Sequence, residues 1–425
     1  MKLRGLSRSV LARNMLLLFL VKFSGYIVPL AALPFLARVL GPVKLGEVVI
    51  AQSLALMLSV VIEYGFSISA TREVSRHRAS QEAVRTIVSN VFSAKLVLAL
   101  LALLLAFCAS VAVASLHDGL LVLGAWIYAA AIGFSPSWYF QGTEKLRTFS
   151  LIDIAGKFLG VGLIFALVRG PGDASQVLLL QSIGAATATL VCIRMQYVEV
   201  RFKRPTLKQC RHGLKDGFGM FVFRLAISLY TLANVFVMGI YAAPKAVAYF
   251  ASAEKLVRGA SSLIGPVSQA LFPRVTSLIQ TDRAAAIRLV RLALAGMFAG
   301  TCLFSLGIAL FAGDITRIFF GPGYEPVAEL MRSLVWIIPL IGLGNVLGIQ
   351  WMLSLGLDKE FNLCVIAAGA INVCAAAFAA KLYGAAGMVA ASLLAESVVV
   401  LLVVATLKRK RLLPSSRLAQ GQVGA

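Results

Sequence analysis

The sequence predicts an all-α membrane protein: twelve transmembrane helices in two six-helix lobes, related by a pseudo-twofold axis along the membrane normal. Three observations predict it. Of 425 residues, 60% are hydrophobic and 14% charged, where a soluble domain carries about 25% charged; mean hydropathy is +0.89. Apolar stretches long enough to cross a bilayer, roughly 18 residues or more, recur from end to end. Finally, rare landmarks repeat without a gap at an offset of 202 residues: Lys22 with Arg224, Pro42 with Pro244, Gly46 with Ala248 and Arg72 with Arg274. A second register, at an offset of 214, pairs Gly142, Glu144 and Lys145 with Gly356, Asp358 and Lys359. No alternating ten-residue pattern suggests a barrel.

The predicted spans are 15–37, 45–68, 88–114, 119–140, 151–168, 176–197, 218–240, 247–271, 292–311, 333–355, 361–380 and 384–407. Lys22 interrupts the first apolar segment and no small-residue cleavage site follows, so it reads as a retained span and not a signal peptide. With the N-terminus inside, the cytoplasmic connections, together with Arg194 near the inner end of span six, hold 27 Lys and Arg and the opposite side 7. That bias places both termini in the cytoplasm. The net charge of +22 is therefore a matter of topology and anionic lipid, with no nucleic acid implied.

The longest basic connection, 198–217, separates an N-lobe (1–197, spans one to six) from a C-lobe (218–407, spans seven to twelve), and a basic tail fills 408–425. Six spans is an even number, so both lobes enter the membrane in the same direction, the parallel-repeat arrangement of transporters. Gly156/Gly160, Gly296/Gly300 and Gly344/Gly348 have the spacing that lets helices approach closely in lipid. Pro29, Pro34, Pro136, Pro266 and Pro339 each remove a helix hydrogen bond. Pro29, midway along span one, is the candidate hinge. The six cysteines and three histidines are scattered, so neither a metal site nor a cofactor is expected.

Charges inside the spans carry the functional signal, because a cation at a helix centre costs roughly 2.5–3.5 kcal/mol on insertion scales. Lys22, Lys95, Lys157 and Arg224 each lie six or seven residues inside spans one, three, five and seven, roughly 9–11 Å deep at 1.5 Å per residue. Each alone can snorkel to the interface; four together favour a shared water-filled cavity. In span eight, Lys255 and Arg258 lie deeper, Arg258 at about 16 Å. Glu254 and Arg258 share a helix face, as do Asp153 and Lys157, so local ion pairing and a cavity role both stay open. Glu63 and Glu396 complete the acids, as ion-pair partners or a coupling-ion site. The six cations are the substrate-binding candidates; no residue is a catalytic candidate.

Local patterns add a resemblance. Pro34-Phe35-Leu36-Ala37-Arg38-Val39-Leu40-Gly41-Pro42, Tyr64-Gly65-Phe66 through Arg72, Pro136-Ser137-Trp138-Tyr139-Phe140-Gln141-Gly142-Thr143-Glu144-Lys145 and Ala246 through Leu256 resemble motifs of Wzx-type polysaccharide flippases. These belong to the multidrug/oligosaccharidyl-lipid/polysaccharide exporter superfamily. Ala248 stands where that family typically has Gly. The resemblance implies alternating access around a central cationic cavity in the bacterial inner membrane. It also implies a polyprenyl-diphosphate-linked oligosaccharide as cargo. The implied partners are membrane lipids, the polysaccharide polymerase and chain-length machinery. The competing classes are a cation-coupled drug exporter, which would favour buried acids over buried cations, and a membrane-embedded glycan ligase or polymerase. An enzyme of that kind needs a catalytic outer loop, and the longest outer connection, 312–332, shows no convincing acid/base pair.

Overall fold

The structure is a computed structural model describing residues 2–201 and 207–414; in 2–29 and at several positions of 207–230 only the backbone is described. Lys22 and Pro29 lie outside the residues whose side chains are described, as does most of the 198–217 connection. No strand occurs among the described residues. Among the described residues, eight helical stretches are long and apolar enough to cross a membrane. Contacts divide the chain into two compact units, Met1–Ala248 and Tyr249–Ala425.

In the first unit, α1 (Lys2–Glu63) has 62 residues. A straight helix of that length would run for about 93 Å, three bilayer cores end to end. It breaks instead at Gly41 (φ 71°, ψ 171°), between predicted spans one and two, in a backbone region that glycine reaches at little cost. Leu45, Ile50, Ala51, Ala55 and Ile62 are fully buried beyond the break. The helix ends at Glu63, where Tyr64 (φ 51°) and Gly65 (φ 74°) turn left-handed, and α2 (Phe66–Arg76) follows.

Next come α3 (Gln81–Ala112), α4 (Gly119–Gly133), the short α5 (Ser137–Gly142), α6 (Leu146–Leu167) and α7 (Val177–Glu199). Ser80 caps α3 by accepting from Ala83 N–H. Asp118 caps α4, its carboxylate accepting from the N–H groups of Leu120 and Leu121. Burial alone would raise the Asp118 pKa. The Ser175 hydroxyl, those two N–H groups and the charge of Lys44 outweigh it and hold the group below the ordinary 3.8. α6 and α7 approach closely: a Cβ on Gly156 would lie 2.6 Å from Ala188 Cβ and from Gly184 O. α8 (Leu207–Tyr241) packs in this unit, with Gly239 against the Ile50 side chain.

The second unit contains most of α9 (Pro244–Ser261), then α10 (Ile264–Thr281), α11 (Arg283–Leu310), α12 (Ala312–Phe320), α13 (Glu325–Leu334), α14 (Ile337–Gly344), a π-helical segment (Asn345–Met352) and α15 (Asp358–Arg409). α15 has 52 residues and breaks at Gly384 (φ 55°, ψ −130°), the first residue of predicted span twelve. Predicted span eight is divided into α9 and α10. α9 has too many charges (Lys245, Glu254, Lys255, Arg258) for its length to qualify as an apolar crossing by itself.

Two expectations are corrected here. Gly296 and Gly300 do not mediate helix packing: among the described residues, no heavy atom beyond the backbone of their own helix turns lies within 4 Å of where their Cβ would stand. Their face of α11 lines an apolar cleft of about 430 Å³ with Leu263, Val267 and Ile338. Pro136, Pro266 and Pro339 mark helix starts, at the N-cap of α5 and in the first turns of α10 and α14, where a missing N–H costs nothing. Pro34 runs inside α1, whose non-helical residue is Gly41.

Candidate functional site

Two charge clusters emerge, one in each unit. In the first, Glu63 stands on the last turn of α1, where the Tyr64-Gly65 turn exposes its carboxylate to α8. Arg224 of α8 donates through a guanidinium NH2 to Glu63 Oε2 at 2.8 Å, while Ser67 N–H donates to Oε1 at 3.1 Å. The turn is braced: the Tyr64 ring stacks on Phe221 at 4.4 Å, and Gly65 lies against the Met220 backbone. Lys95 of α3 is 2% exposed. Its Nζ donates to Ser135 O at 3.3 Å and lies within charge–charge reach of Glu63. It is therefore buried and does not snorkel.

This cluster unites three candidates, Glu63, Lys95 and Arg224, from segments far apart in sequence. Two cations face one carboxylate, leaving an excess of positive charge. Two polar groups beside the ion pair are also unsatisfied: Arg224 Nε–H and the Ser67 hydroxyl are buried with no hydrogen-bond partner among the described residues. Both can donate to an incoming oxygen, and a buried donor without an acceptor costs about 1–3 kcal/mol until it finds one.

The second cluster is local. Arg258 Nε donates to Glu254 Oε1 at 3.0 Å, one turn away on α9, with side-chain exposures of 29% and 10%. Lys255 is part-buried beside Glu254 and feels its charge. The other local pair is Lys157 with Asp153, at 2.6 Å along α6. Glu396 is part-buried on α15, away from the first cluster in sequence and unit.

The span-four motif takes a scaffolding position. Trp138, Tyr139 and Phe140 are buried with Phe66, Val74 and Val91. Tyr139 OH donates to Glu199 Oε2 at 2.7 Å and Lys145 Nζ to Glu199 Oε1 at 2.6 Å, while Arg78 pairs with Glu144 at 2.8 Å. These bonds tie α2, α5 and α7 together at one end of the unit. Sequence reasoning missed Glu199, which lies 60 residues from Tyr139 and had no linear signal, and Ser67, whose one signal was its place four residues after Glu63. No group of His, Cys, Asp and Glu among the described residues forms a metal site.

Residues 11–279 match the family model described as polysaccharide biosynthesis protein. A protein of Escherichia coli (strain K12), provisionally named an O-antigen transporter, is 30% identical over 85% of this chain and 88% of its own length. A similarly named protein of Shigella dysenteriae is 30% identical over 93% of this chain and 100% of its own length. Among solved structures, a multidrug resistance MATE family transporter of the MOP superfamily, in an inward-facing conformation, matches with a TM-score of 0.70 at 15% identity, covering 93% of this chain and 95% of that one. The lipid II flippase MurJ matches with a TM-score of 0.72 at 16% identity, covering 92% and 87%. At these identities the structural likenesses speak for the fold.

Proposed function

Because the chain belongs to the polysaccharide biosynthesis protein family, we propose that it is a flippase moving polyprenyl-diphosphate-linked oligosaccharide repeat units from the cytoplasmic to the opposite leaflet of a bacterial inner membrane. The observation that carries this reading is the Glu63–Arg224–Lys95 cluster, with its excess positive charge and two unpartnered buried donors. A diphosphate brings the oxygen acceptors that Arg224 Nε–H and the Ser67 hydroxyl lack. Glu63 then acts as a resident counter-ion, holding Arg224 between cargoes and competing with the diphosphate so that it can leave. Cation binding that is favourable enough to admit an anion and weak enough to release it is what passage requires.

In this reading twelve spans form two lobes related along the membrane normal, with 1–197 and 218–407 as the lobes, 198–217 as the linker, 408–425 as a basic tail and both termini cytoplasmic. The cargo head group crosses by alternating access while its lipid tail stays in the bilayer. Lys22 and Lys157 line the cytoplasmic side with Arg224 and Lys95. Lys255 and Arg258 serve the deeper step, and Asp153, Glu254 and Glu396 tune the cations or bind a coupling ion, with Pro29 as hinge. Outward movement of anionic cargo from an electrically negative interior gains about 2.3 kcal/mol per charge per 100 mV. Polymerase and chain-length machinery take the product onward.

The test is transbilayer movement of defined lipid-linked oligosaccharides in proteoliposomes containing the purified chain. Movement of the lipid-linked oligosaccharide, abolished by Arg224→Ala, supports the reading. Efflux of cationic dyes without movement of any lipid-linked oligosaccharide overturns it in favour of a drug exporter.

A further inference from the structure

The connection between α11 and α14, expected as a loop, folds into two helices around a polar cleft. α12 and α13 are joined by Gly321, Pro322, Gly323 and Tyr324, with Gly321 (φ 80°) and Gly323 (φ 87°) left-handed. The turn is locked from below. Tyr324 stacks on Phe320 at 5.3 Å, the Tyr249 hydroxyl donates to Gly323 O at 2.9 Å, and Gly323 N–H donates to Glu325 Oε1 at 3.0 Å. The cleft therefore does not depend on a ligand for its shape.

Its volume is about 490 Å³, within the roughly 300–1,000 Å³ of small-ligand pockets. The rim carries Arg317 from α12 and Glu325, Glu329 and Arg332 from α13, all exposed. The two arginines form no ion pair with the two glutamates within 4 Å among the described residues, although opposite charges line one small space. The Arg332 guanidinium extends over Gly313, 3.7 Å from where a Cβ would stand. On the floor Thr316 is 3% exposed, and its hydroxyl is buried with no hydrogen-bond partner among the described residues. A helical threonine ordinarily bonds back to the preceding turn; this one is left for something else.

We propose that this cleft binds the sugar portion of the cargo, as a neutral hydroxyl-rich glycan. The proposal rests on the flippase reading and names a contact for the glycan, apart from the diphosphate. Guanidinium donors and carboxylate acceptors on one rim, in balanced number, suit hydroxyls that donate and accept in turn. Balanced charge does not suit a polyanion. The Thr316 hydroxyl supplies the buried polar contact, and Pro322 with Ala328 supplies an apolar strip for the C–H face of a sugar ring. A site built to hydrogen-bond hydroxyls discriminates strongly, because its polar groups stay unpaired with any other ligand.

The experiment measures binding of short free oligosaccharides, without lipid or phosphate, to the full chain in nanodiscs by saturation-transfer NMR. Inorganic diphosphate is the competitor, and transport is assayed on the same preparation. The expected result is glycan binding that diphosphate does not displace, weakened tenfold or more by Arg332→Ala and by Glu329→Gln. Thr316→Val should weaken it several-fold while the melting temperature holds or rises. Arg224→Ala should bind free glycan as the unaltered chain does. Glycan binding equal in all variants, or displaced by diphosphate, overturns the proposal; so does absence of glycan binding in a preparation that moves lipid-linked oligosaccharide. Failure of transport with variant-sensitive glycan binding intact would count against the flippase reading and for the cleft.

Discussion

The two charge clusters are built in opposite ways. Glu63–Arg224 joins residues 161 apart in sequence, on helices brought together by packing. Glu254–Arg258 joins residues four apart on one helix. A local pair moves with its helix and keeps its partner through any rearrangement. A pair across helices exists only while those helices are together, so its energy is coupled to conformation. For a protein that must alternate between arrangements, the long-range pair is the one that can report and resist the change, while the local pair can only shape the field.

The largest expected effect follows directly. Arg224→Ala strands a carboxylate at 19% exposure and should abolish export, whereas Arg224→Lys keeps part of it. A double-mutant cycle with Glu63→Gln and Arg224→Gln should give a coupling of about 0.5–3 kcal/mol in unfolding, as expected for residues in one salt-bridge network. A coupling near zero would erase the contrast between the clusters.

Packing sharpens the same comparison. Gly156→Val should destabilise by about 1–3 kcal/mol because a side chain there must displace Gly184 and Ala188. Gly296→Ala, with open space around it, should change the melting temperature little. Equal losses at both sites would contradict the packing difference between α6–α7 and α11. The local cluster sharpens the comparison in another way: Glu254 and Arg258 are the more buried pair, at 10% and 29% exposure. Their cycle should therefore also show a coupling of about 0.5–3 kcal/mol in unfolding, but one that stays the same in every conformation.

The smallest effect is that of Asp118. Its folded pKa lies below the ordinary 3.8, so the cap's contribution is fully present above that value and is lost as pH falls through it. Thermal unfolding of the unaltered chain should weaken below about pH 4 by more than that of Asp118→Asn. An identical acid response in both proteins would exclude the cap as a source of acid sensitivity.

The sequence made the helices legible because apolar run length and basic flanks act locally. Gly41 sits between predicted spans one and two, and Gly384 at the first residue of predicted span twelve, for the same reason: the charge and hydropathy pattern already required the chain to break there. Glu63, Lys95 and Arg224 were each recognisable as charges in the wrong solvent. Their meeting was not, since it depends on the left-handed turn at Tyr64-Gly65 and on how α8 packs, neither of which has a linear signature. The glycine stripe at 296 and 300 misled because spacing encodes the capacity for close approach and not the presence of a neighbour. The 312–332 connection was passed over for lack of a catalytic pair, when its information lay in amphipathic helices too short to be read as spans.

The central claim is that Glu63 occupies Arg224 in place of the cargo's diphosphate. The most direct measurement is equilibrium binding of a short-chain polyprenyl diphosphate to the full chain in nanodiscs, comparing the unaltered protein, Glu63→Gln and Arg224→Ala. Removing the counter-ion should tighten binding at least several-fold while slowing turnover, and removing the cation should weaken binding at least tenfold. Binding unchanged in both variants would contradict the account.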